Sequence, residues 1–429
     1  MVLAAGLDFG TSGARLTVID QTRRIVAAKQ VNFAPANRLQ EDIWLQGLEA
    51  LLSGLEPAVR SQLSAIAING TSATVLLCDG RGHPVTEPLL YNDDRGQENC
   101  AFVAAVAPTA SPTRSATSSL VKLLWWQAHL SPAVLEQAQY FMHQADWLAY
   151  QLHETPGLSD YHNALKLGYD IGTLAYPDWL LELLEPQNLV GCLPQVQAPG
   201  TAFRGVSSAA SDRYGLPRDC LVVAGTTDSI AAFLASGASA PGEAVTSLGS
   251  TLVIKLLSQT RVDASEYGIY SHRWGDLWLV GGASNTGGAV LQRYFTDAEL
   301  QRLSPQIAGD RPSHLDYYPL LRPGERFPTS DPQLPPRLTP RPAESTDFLH
   351  GLLESIARIE AQGYKRLVAL GATPPTRILT AGGGAQNATW TTIRQRLLPT
   401  PVAVAESTEA AFGSACLALQ GWQQAQTCS

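Results

Sequence analysis

The stretch Gly6-Leu-Asp-Phe-Gly-Thr-Ser-Gly-Ala-Arg15 decides how the chain begins to fold. Residues 2–8 are apolar, Gly10-Thr-Ser-Gly13 has the composition of a turn, and residues 14–20 read as a second strand. A polar turn then leads to a third strand near residues 25–33. The sequence therefore predicts an opening antiparallel meander of three strands.

The same turn carries groups that suit a phosphate. Glycines let the backbone approach a ligand closely, and consecutive N–H groups in such a turn bind anions. The hydroxyls of Thr11 and Ser12 can donate to phosphate oxygens, and Asp8 can hold a hydrated Mg²⁺. An ordinary glycine-rich turn is the alternative. A P-loop is excluded because G-x-x-x-x-G-K is absent, and the dinucleotide fingerprint because the turn leads into a strand.

Two later segments have a similar composition. Gly225-Thr-Thr-Asp228 ends a short apolar strand at residues 221–225, and Asp228 either caps the following helix or serves a site. Ser247-Leu-Gly249-Ser250-Thr251 is a second turn of glycine and hydroxyl residues. Its likeness to the first turn is weak evidence of duplication, which would suit two halves that act on one ligand.

A triple glycine follows a predicted strand at residues 377–381. Gly382-Gly383-Gly384 would let a flat ligand lie against bare backbone. Asn387 can cap its helix or hydrogen-bond to the edge of a base, and the two interpretations stand equal. Trp390 could stack on a purine or pack within its own domain.

Hydrophobic periodicity predicts helices and strands in most of the remaining chain. The predicted helices cover residues 40–60, 118–153, 346–369, 387–397 and 409–422, and short apolar strands cover residues 64–69 and 74–78. Six prolines within residues 328–342 predict an irregular surface loop.

Composition excludes several classes of protein. The 429 residues are 45% hydrophobic and only 16% charged, which predicts two or three domains with a sizeable core and argues against disorder or a coiled coil. A net charge of −8 without a basic cluster disfavours nucleic acid and anionic lipid as partners. Six scattered cysteines at no metal spacing, and no apolar run of about 20 residues, predict reduced thiols in a cytoplasmic protein without a membrane segment.

The ordered set of motifs resembles the FGGY carbohydrate kinases, a family of the sugar kinase, Hsp70 and actin superfamily. The set consists of Asp8-x-Gly-Thr, Asp228, Ser-x-Gly-Ser-Thr and Gly-Gly-Gly-x-x-Asn. Tyr91-Asn-Asp93-Asp94-Arg95 is similar to the family's aromatic-x-Asp-x-Arg substrate segment. The resemblance extends over nearly the whole chain.

The resemblance implies an α/β fold of two ribonuclease-H-like domains with a cleft for ATP and sugar between them. Residues 1–228 plus about 402–429 would form the sugar-binding domain, and residues 229–401 the nucleotide-binding domain. The C-terminal helix usually returns to the first domain in this family.

The resemblance also implies a role for each matched residue. Asp228 would be the catalytic base, Asp8 the carboxylate for Mg²⁺ and the sugar, and Asp93 part of the sugar-binding segment. The residues implied for ATP are Thr11 and Ser12 under the phosphates, Gly249 and Ser250 in a second phosphate turn, and Gly383, Gly384, Asn387 and Trp390 around the adenosine.

One departure from the family pattern concerns the sugar. Typical xylulose kinases carry Gln-Met-His after the glycine that corresponds to Gly70, whereas this chain has Thr71-Ser72-Ala73. The His that contacts xylulose in that pattern has no counterpart, so Ser72 becomes a candidate polyol contact. The compact pattern is similar to the short ribulose/xylulose kinase branch of cyanobacteria and plants. It favours D-ribulose as the acceptor of phosphate from ATP, with D-xylulose as the alternative.

Two other functional classes remain as alternatives. An ATP-hydrolysing conformational protein of the Hsp70 or actin kind would lack the sugar segment at Asp93. A sugar sensor with weak kinase activity would be expected to have lost the base or a phosphate turn, and Asp228 and both turns are present. The expected partners are a small sugar and ATP, with the chain as a monomer or homodimer.

Overall fold

The computed structural model describes residues 2–33 and 39–427. The chain divides into two compact units: unit 1 is Met1–Ala235 with Glu409–Ser429, and unit 2 is Ser236–Thr408. Unit 2 therefore includes residues 402–408, which the sequence analysis assigns to the first domain, and unit 1 includes residues 229–235, which it assigns to the second. Residues 229–235 form a helix that packs on the last helix of the chain, and this contact keeps them in unit 1.

Unit 1 is built on a six-stranded mixed sheet. Numbered along the chain, its strands are β1 Leu3–Phe9, β2 Gly13–Asp20, β3 Ile25–Asn32, β4 Leu63–Gly70, β5 Val75–Cys78, β6 Tyr140–His143, β7 Leu158–Asp160, β8 Gln195–Gln197, β9 Ala202–Gly205 and β10 Leu221–Thr227. The sheet order is β3-β2-β1-β4-β10-β9, in which β1, β4 and β10 run parallel. The first three strands form the predicted antiparallel meander. Two small sheets pair β5 with β6 and β7 with β8.

The helices of unit 1 connect these strands. They are α1 Gln40–Ser53, α2 Pro57–Arg60, α3 Cys100–Val106, α4 Ser119–His129, α5 Pro132–Gln137, α6 Gln144–His153, α7 Asp178–Leu184, α8 Ser208–Tyr214, α9 Asp228–Ala235 and, after unit 2, α14 Ala410–Thr427. The continuous helical prediction for residues 118–153 is wrong, because Pro132 starts a new helix and residues 140–143 form β6. Pairing with β5 outweighs the helical periodicity there.

Helix α14 approaches the sheet of unit 1 closely because the facing residues are small. A Cβ at Gly6 on β1 would lie 2.1 Å from the carbonyl oxygen of Ala411, and a Cβ at Gly413 would lie 1.8 Å from that of Ala231 on α9. Side chains alternate along a strand, so Asp8 points to the same side of β1 as Gly6. The close packing of α14 therefore defines the surroundings of Asp8.

Unit 2 repeats the plan of unit 1. Its elements are β11 Glu243–Leu248, β12 Leu252–Ser258, β13 His272–Trp274, β14 Leu277–Ser284, α10 Gly288–Tyr294, α11 Asp297–Leu303, α12 Ser345–Ala369, β15 Arg377–Ala381, α13 Ala388–Leu397 and β16 Val402–Val404. The sheet order is β13-β14-β12-β11-β15-β16, with β11, β15 and β16 parallel. Residues 328–342 contain neither a helix nor a strand, as their prolines predict.

Helix α12 spans 25 residues but carries charge on its buried side. Glu360 is buried and accepts two hydrogen bonds of 2.7 Å from the Arg394 guanidinium on α13. Such a paired charge ties the helix to its own unit. Across residues 2–33 and 39–427, no helix is both long and apolar enough to cross a membrane.

Candidate active site

Asp8 lies near the end of β1, beside polar residues of the neighbouring strands. It is opposite Arg15 on β2 and Asn69 on β4. Its side chain is 11% exposed, and one oxygen lies 3.9 Å from the Arg15 guanidinium. Asn69 is fully buried and donates from its amide to Ser414 Oγ of α14 at 2.8 Å. The carboxylate predicted for metal and sugar thus stands in a nearly closed, polar setting.

The position of Asp228 depends on an irregularity in β10. The register of β10 against β4 shifts within the strand, and a Cβ at Gly225 would lie 1.8 Å from the carbonyl oxygen of Ile68. Only glycine permits this approach, so the register shift of β10 requires a glycine at position 225. Asp228 then begins α9, and its Oδ1 accepts from the Ser229 backbone N–H at 2.6 Å. A half-buried carboxylate at a strand-to-helix junction is compatible with both the capping and the catalytic interpretation.

The two aspartates influence each other electrostatically. Burial and then the negative charge of Asp228 raise the pKa of Asp8 from 3.8 to about 6, whereas Arg15 lowers it and Glu409 raises it. The Arg15 side chain also lies 3.5 Å from a carboxylate oxygen of Glu409. Three carboxylates therefore act on a site with one nearby guanidinium. This excess of negative charge favours the uptake of a proton or a cation.

The turn after β1 presents Thr11 and Ser12 to solvent. The backbone N–H of Gly10 donates to the carbonyl of Gly13 at 3.0 Å, and the N–H of Phe33 donates to the carbonyl of Ser12 at 2.9 Å. The turn is therefore anchored through its backbone while both hydroxyl residues are exposed. This is the arrangement that the phosphate-binding interpretation requires.

Ser72 and Asp93 lie in two other turns of unit 1. Ser72 is half-buried in a turn closed by the N–H of Thr74, which donates to the carbonyl of Thr71 at 3.2 Å. The Asp93 carboxylate pairs with the Arg95 guanidinium at 2.8 Å and accepts its backbone N–H at 3.1 Å. Any sugar contact made by Asp93 would therefore be shared with Arg95.

Two lysines that the sequence analysis left out belong to the same region. Burial lowers the pKa of Lys122 to about 7, and the charge of Asp93 partly offsets this. Burial also lowers the pKa of Lys166, and the charge of Asp228 opposes that effect. The sequence does contain one indication that Lys122 is unusual: it is the one charged residue in the apolar run of residues 120–126.

In unit 2 a cavity of about 780 Å³ is lined by all six residues assigned there to ATP. They are Gly249, Ser250, Gly383, Gly384, Asn387 and Trp390. Apolar and amide side chains complete the lining, among them Leu291, Gln292 and Gln301. The volume and lining are typical of sites for small molecules.

Asn387 and Trp390 each make hydrogen bonds within unit 2. Asn387 Oδ1 accepts from the Trp390 backbone N–H at 3.0 Å, and its amide donates to Ser304 Oγ at 2.9 Å. Asn387 is therefore the N-cap of α13 and also lines the cavity. The Trp390 ring is 2% exposed and donates from its indole N–H to the carbonyl of Leu353. It lines the cavity, and a Cβ at Gly384 would lie 2.7 Å from the ring, so the ring lies against the backbone of Gly384.

The second turn is held by a buried carboxylate that the sequence analysis did not assign. The N–H of Gly288 donates to the carbonyl of Gly249 at 2.8 Å and so ties the turn to α10. Glu325 is buried and accepts from Ser284 Oγ at 2.5 Å and from the Asn285 backbone N–H at 2.8 Å. The strand end that supports the turn is thus fixed by Glu325.

Within the described residues, no group of three or more His, Cys, Asp and Glu side chains could hold a metal ion. A bound Mg²⁺ commonly uses only one or two protein carboxylates together with substrate phosphates and water. Asp8, with its raised pKa beside a second carboxylate, fits such a partial site. The donor set therefore suits a cation that arrives with a phosphate ligand.

Comparison with protein-family models covers both units. The N-terminal domain model of the FGGY family of carbohydrate kinases matches residues 3–235, and its C-terminal domain model matches residues 244–422. These two ranges include almost the whole chain.

Individual relatives agree with this match. Xylulose kinase of Streptomyces coelicolor is 27% identical, over 97% of this chain and 87% of that protein. Among solved structures, xylulose kinase from Brucella ovis aligns with a TM-score of 0.86 and 22% identity, over 98% of this chain and 91% of that chain. Plasmodium falciparum glycerol kinase with ADP gives a TM-score of 0.83 and 16% identity, over 100% and 92% of the two chains. The structural matches show a shared two-domain α/β fold.

Proposed function

Because the chain belongs to the FGGY family of carbohydrate kinases, we propose that it transfers the γ-phosphate of ATP to a hydroxyl of a ketopentose. The observation that carries the proposal is the pair of Asp8 and Asp228 in unit 1. Asp8 has a raised pKa, and Asp228, whose charge contributes to that rise, is the first residue of α9. Phosphoryl transfer needs a proton acceptor and stabilisation of phosphate charge, and this pair supplies groups for both.

Each aspartate has a separate task in this proposal. Asp228 takes the proton from the attacking sugar hydroxyl, an effect usually worth about 10²–10⁴ in rate. Asp8 would hold Mg²⁺, which would neutralise charge on the ATP phosphates. Thr11 and Ser12 bind phosphate oxygens from the exposed turn of unit 1.

Unit 2 supplies the nucleotide site in the proposal. Gly249 and Ser250 offer backbone N–H groups to phosphate, while Gly383 and Gly384 leave room for the adenosine. Asn387 supports this site as a helix cap and not as a reader of the base. The cavity binds ATP without a stacked tryptophan, since Trp390 is buried beneath it.

D-xylulose is the favoured sugar, and D-ribulose is the second candidate. Support for D-xylulose comes from relatives such as the Streptomyces coelicolor enzyme, which is named a xylulose kinase. Support for D-ribulose comes from Ser72 and Ala73, which replace the bulky Met-His of the typical xylulose pattern. The two sugars differ only in the configuration at C3, so few side chains decide between them.

The test is a coupled assay of ADP release with D-xylulose, D-ribulose, glycerol, D-gluconate and L-fuculose. We expect kcat/KM for D-xylulose to be the highest and to exceed that for the non-pentose substrates by at least tenfold. A tenfold preference for D-ribulose would transfer the proposal to that sugar. Equal ADP release with and without every sugar would contradict the kinase proposal and favour the ATPase alternative.

A further inference from the structure

Lys122 of α4 is fully buried and binds two loops of unit 1. Taking an ammonium out of water is costly unless it is paired or hydrogen-bonded. Its Nζ donates to the carbonyl of Ala73 at 2.7 Å and to the carbonyl of Leu90 at 2.6 Å. Two of its three N–H groups are therefore used on backbone acceptors from two different loops.

The first acceptor belongs to the turn that carries Ser72. Ala73 has φ +65°, a left-handed conformation that L-residues other than Gly, Asn and Asp rarely adopt. Such a residue keeps this conformation only where its surroundings enforce it. The hydrogen bond from Lys122 to the Ala73 carbonyl provides that restraint.

The second acceptor belongs to the turn that carries Asp93. The Leu90 carbonyl accepts the ammonium of Lys122 and also the backbone N–H of Asp93 at 2.9 Å. Between the two turns, Val75 and Leu89 exchange backbone hydrogen bonds of 2.9 and 3.0 Å. This bridge sets the turns side by side, and Lys122 binds both at once.

Helix α4 contacts the Asp93 segment at a second point. The Arg95 guanidinium lies 5.0 Å from the centre of the Trp125 ring, and a Cβ at Gly96 would lie 2.7 Å from the carbonyl oxygen of Val121. Since Arg95 is the ion-pair partner of Asp93, α4 fixes both the backbone and the side chain of this segment.

We propose that Lys122 is a positioning residue that sets the sugar selectivity of the enzyme. It would fix the separation of Ser72 and Asp93, the two polyol-binding groups, without touching the sugar itself. The inference rests on the proposed kinase function, and it deepens that function by naming what holds the sugar site in shape. It predicts an effect on the sugar and none on ATP, because the backbone groups that Lys122 binds, at Ala73 and Leu90, are not among those proposed to bind ATP.

The first test is Lys122→Met, which keeps the length of the side chain but removes its donors. The buried Ala73 carbonyl then loses the ammonium that it accepts, the Leu90 carbonyl keeps only the backbone N–H of Asp93, and the turns relax. We expect KM for the preferred ketopentose to rise at least tenfold, the ratio of kcat/KM for D-xylulose and D-ribulose to change at least threefold, and KM for ATP to stay within twofold. Lys29→Met, at an exposed position of β3, is the matched control and should leave all constants unchanged.

A double-mutant cycle separates positioning from simple loss of stability. If Lys122 acts through the turn of Ser72, then Ser72→Ala should raise the sugar KM less in the Lys122→Met background than in the wild type. Equal effects of Ser72→Ala in both backgrounds would overturn the proposal. So would an unchanged selectivity ratio in an active Lys122→Met enzyme.

Lys122→Arg covers the case in which the methionine variant does not fold. It keeps the cation and its donors, so we expect it to stay folded by circular dichroism with a selectivity ratio within twofold of wild type. A folded Lys122→Arg enzyme whose selectivity matches that of an active Lys122→Met enzyme would count against the proposal. Failure of the kinase proposal is recognised separately, because then the wild type itself phosphorylates no sugar.

Discussion

The turns that follow β1 and β11 occupy the same place in two sheets of the same plan, yet their neighbours differ in charge. In unit 1, Asp8 faces Arg15 across the antiparallel pair. In unit 2, the residues at the corresponding register are Ser247 and Val253. The charged pair of one turn is thus replaced by a hydroxyl and an aliphatic side chain.

The parallel neighbours differ in the same way. Asp8 lies beside Asn69 of β4, whereas Ser247 lies beside Ala381 of β15. Unit 1 therefore surrounds its turn with ionisable and amide side chains, and unit 2 leaves bare backbone next to a cavity. Sheets with the same strand order can thus present different chemical groups, because a few positions at the strand ends differ.

The largest expected effect comes from removing the proposed base. Asp228→Ala should lower kcat for sugar phosphorylation at least a hundredfold while KM for ATP stays within about twofold, because a base acts in the transition state. Steady-state kinetics against both substrates measure this. Asp178→Ala, at the exposed first residue of α7, is a control for the loss of a helix-start carboxylate. Residual activity above a tenth of wild type would remove Asp228 from the role.

The charge of unit 1 can be tested through the pH dependence of stability. The pKa of Asp8 is about 6 in the folded state against 3.8 without burial. Between these values the folded protein binds more protons than the unfolded chain, so this residue's contribution to stability falls as pH rises from 4 to 6. Asp8→Asn should therefore match wild type near pH 4 and be more stable above pH 6, by up to about 3 kcal/mol.

Urea denaturation at pH 4 and pH 7.5 checks this sign. Asp20→Asn serves as a control of opposite sign, because the hydroxyl of Thr22 lowers the pKa of Asp20 to about 2. That variant should lose stability above pH 4. An Asp8→Asn protein that is less stable than wild type at pH 7.5 would show that burial and the charge of Asp228 do not destabilise the ionised carboxylate of Asp8.

A smaller effect is expected from making the turn of unit 2 resemble that of unit 1. Ser247→Asp places a carboxylate at the register position of Asp8, next to the proposed phosphate turn at Gly249. Repulsion between carboxylate and phosphate should raise KM for ATP about tenfold, or roughly 1.4 kcal/mol, and leave KM for the sugar unchanged. Ser247→Asn is the neutral control of equal size. An unchanged KM for ATP would place the phosphates elsewhere.

Much of the scaffold could be predicted from local pattern. The meander, the long helix α12 and the proline-rich loop follow from residues whose conformational preferences act over a few positions. Strand β6 pairs with β5, which lies more than sixty residues earlier in the chain. Hydrophobic periodicity reports only on neighbouring residues, so it does not predict this strand. The fold was accessible from sequence wherever local preference and tertiary contacts agree.

The site was predictable only where short motifs mark it. The glycine turns and Asp8 are visible as patterns, whereas the roles of Lys122 and Glu325 depend on carbonyl and hydroxyl groups that approach them only after folding. For Trp390 the sequence left stacking and packing open, and its exposure of 2% could be known only from the folded structure. A short sequence motif does not indicate which hydrogen-bond partners come from distant parts of the chain.

Helix α14 also has a consequence for the order of synthesis. The support of Asn69 by Ser414 and the pairing of Arg15 with Glu409 require residues that leave the ribosome after all of unit 2. A nascent chain of 400 residues therefore lacks the helix that packs on β1 and α9, although it already contains both aspartates. Its first unit would expose the groove beside Gly6 until α14 has been synthesised. The surroundings of the proposed catalytic pair are thus completed only after unit 2 has been synthesised, and a chain truncated before residue 409 would lack them.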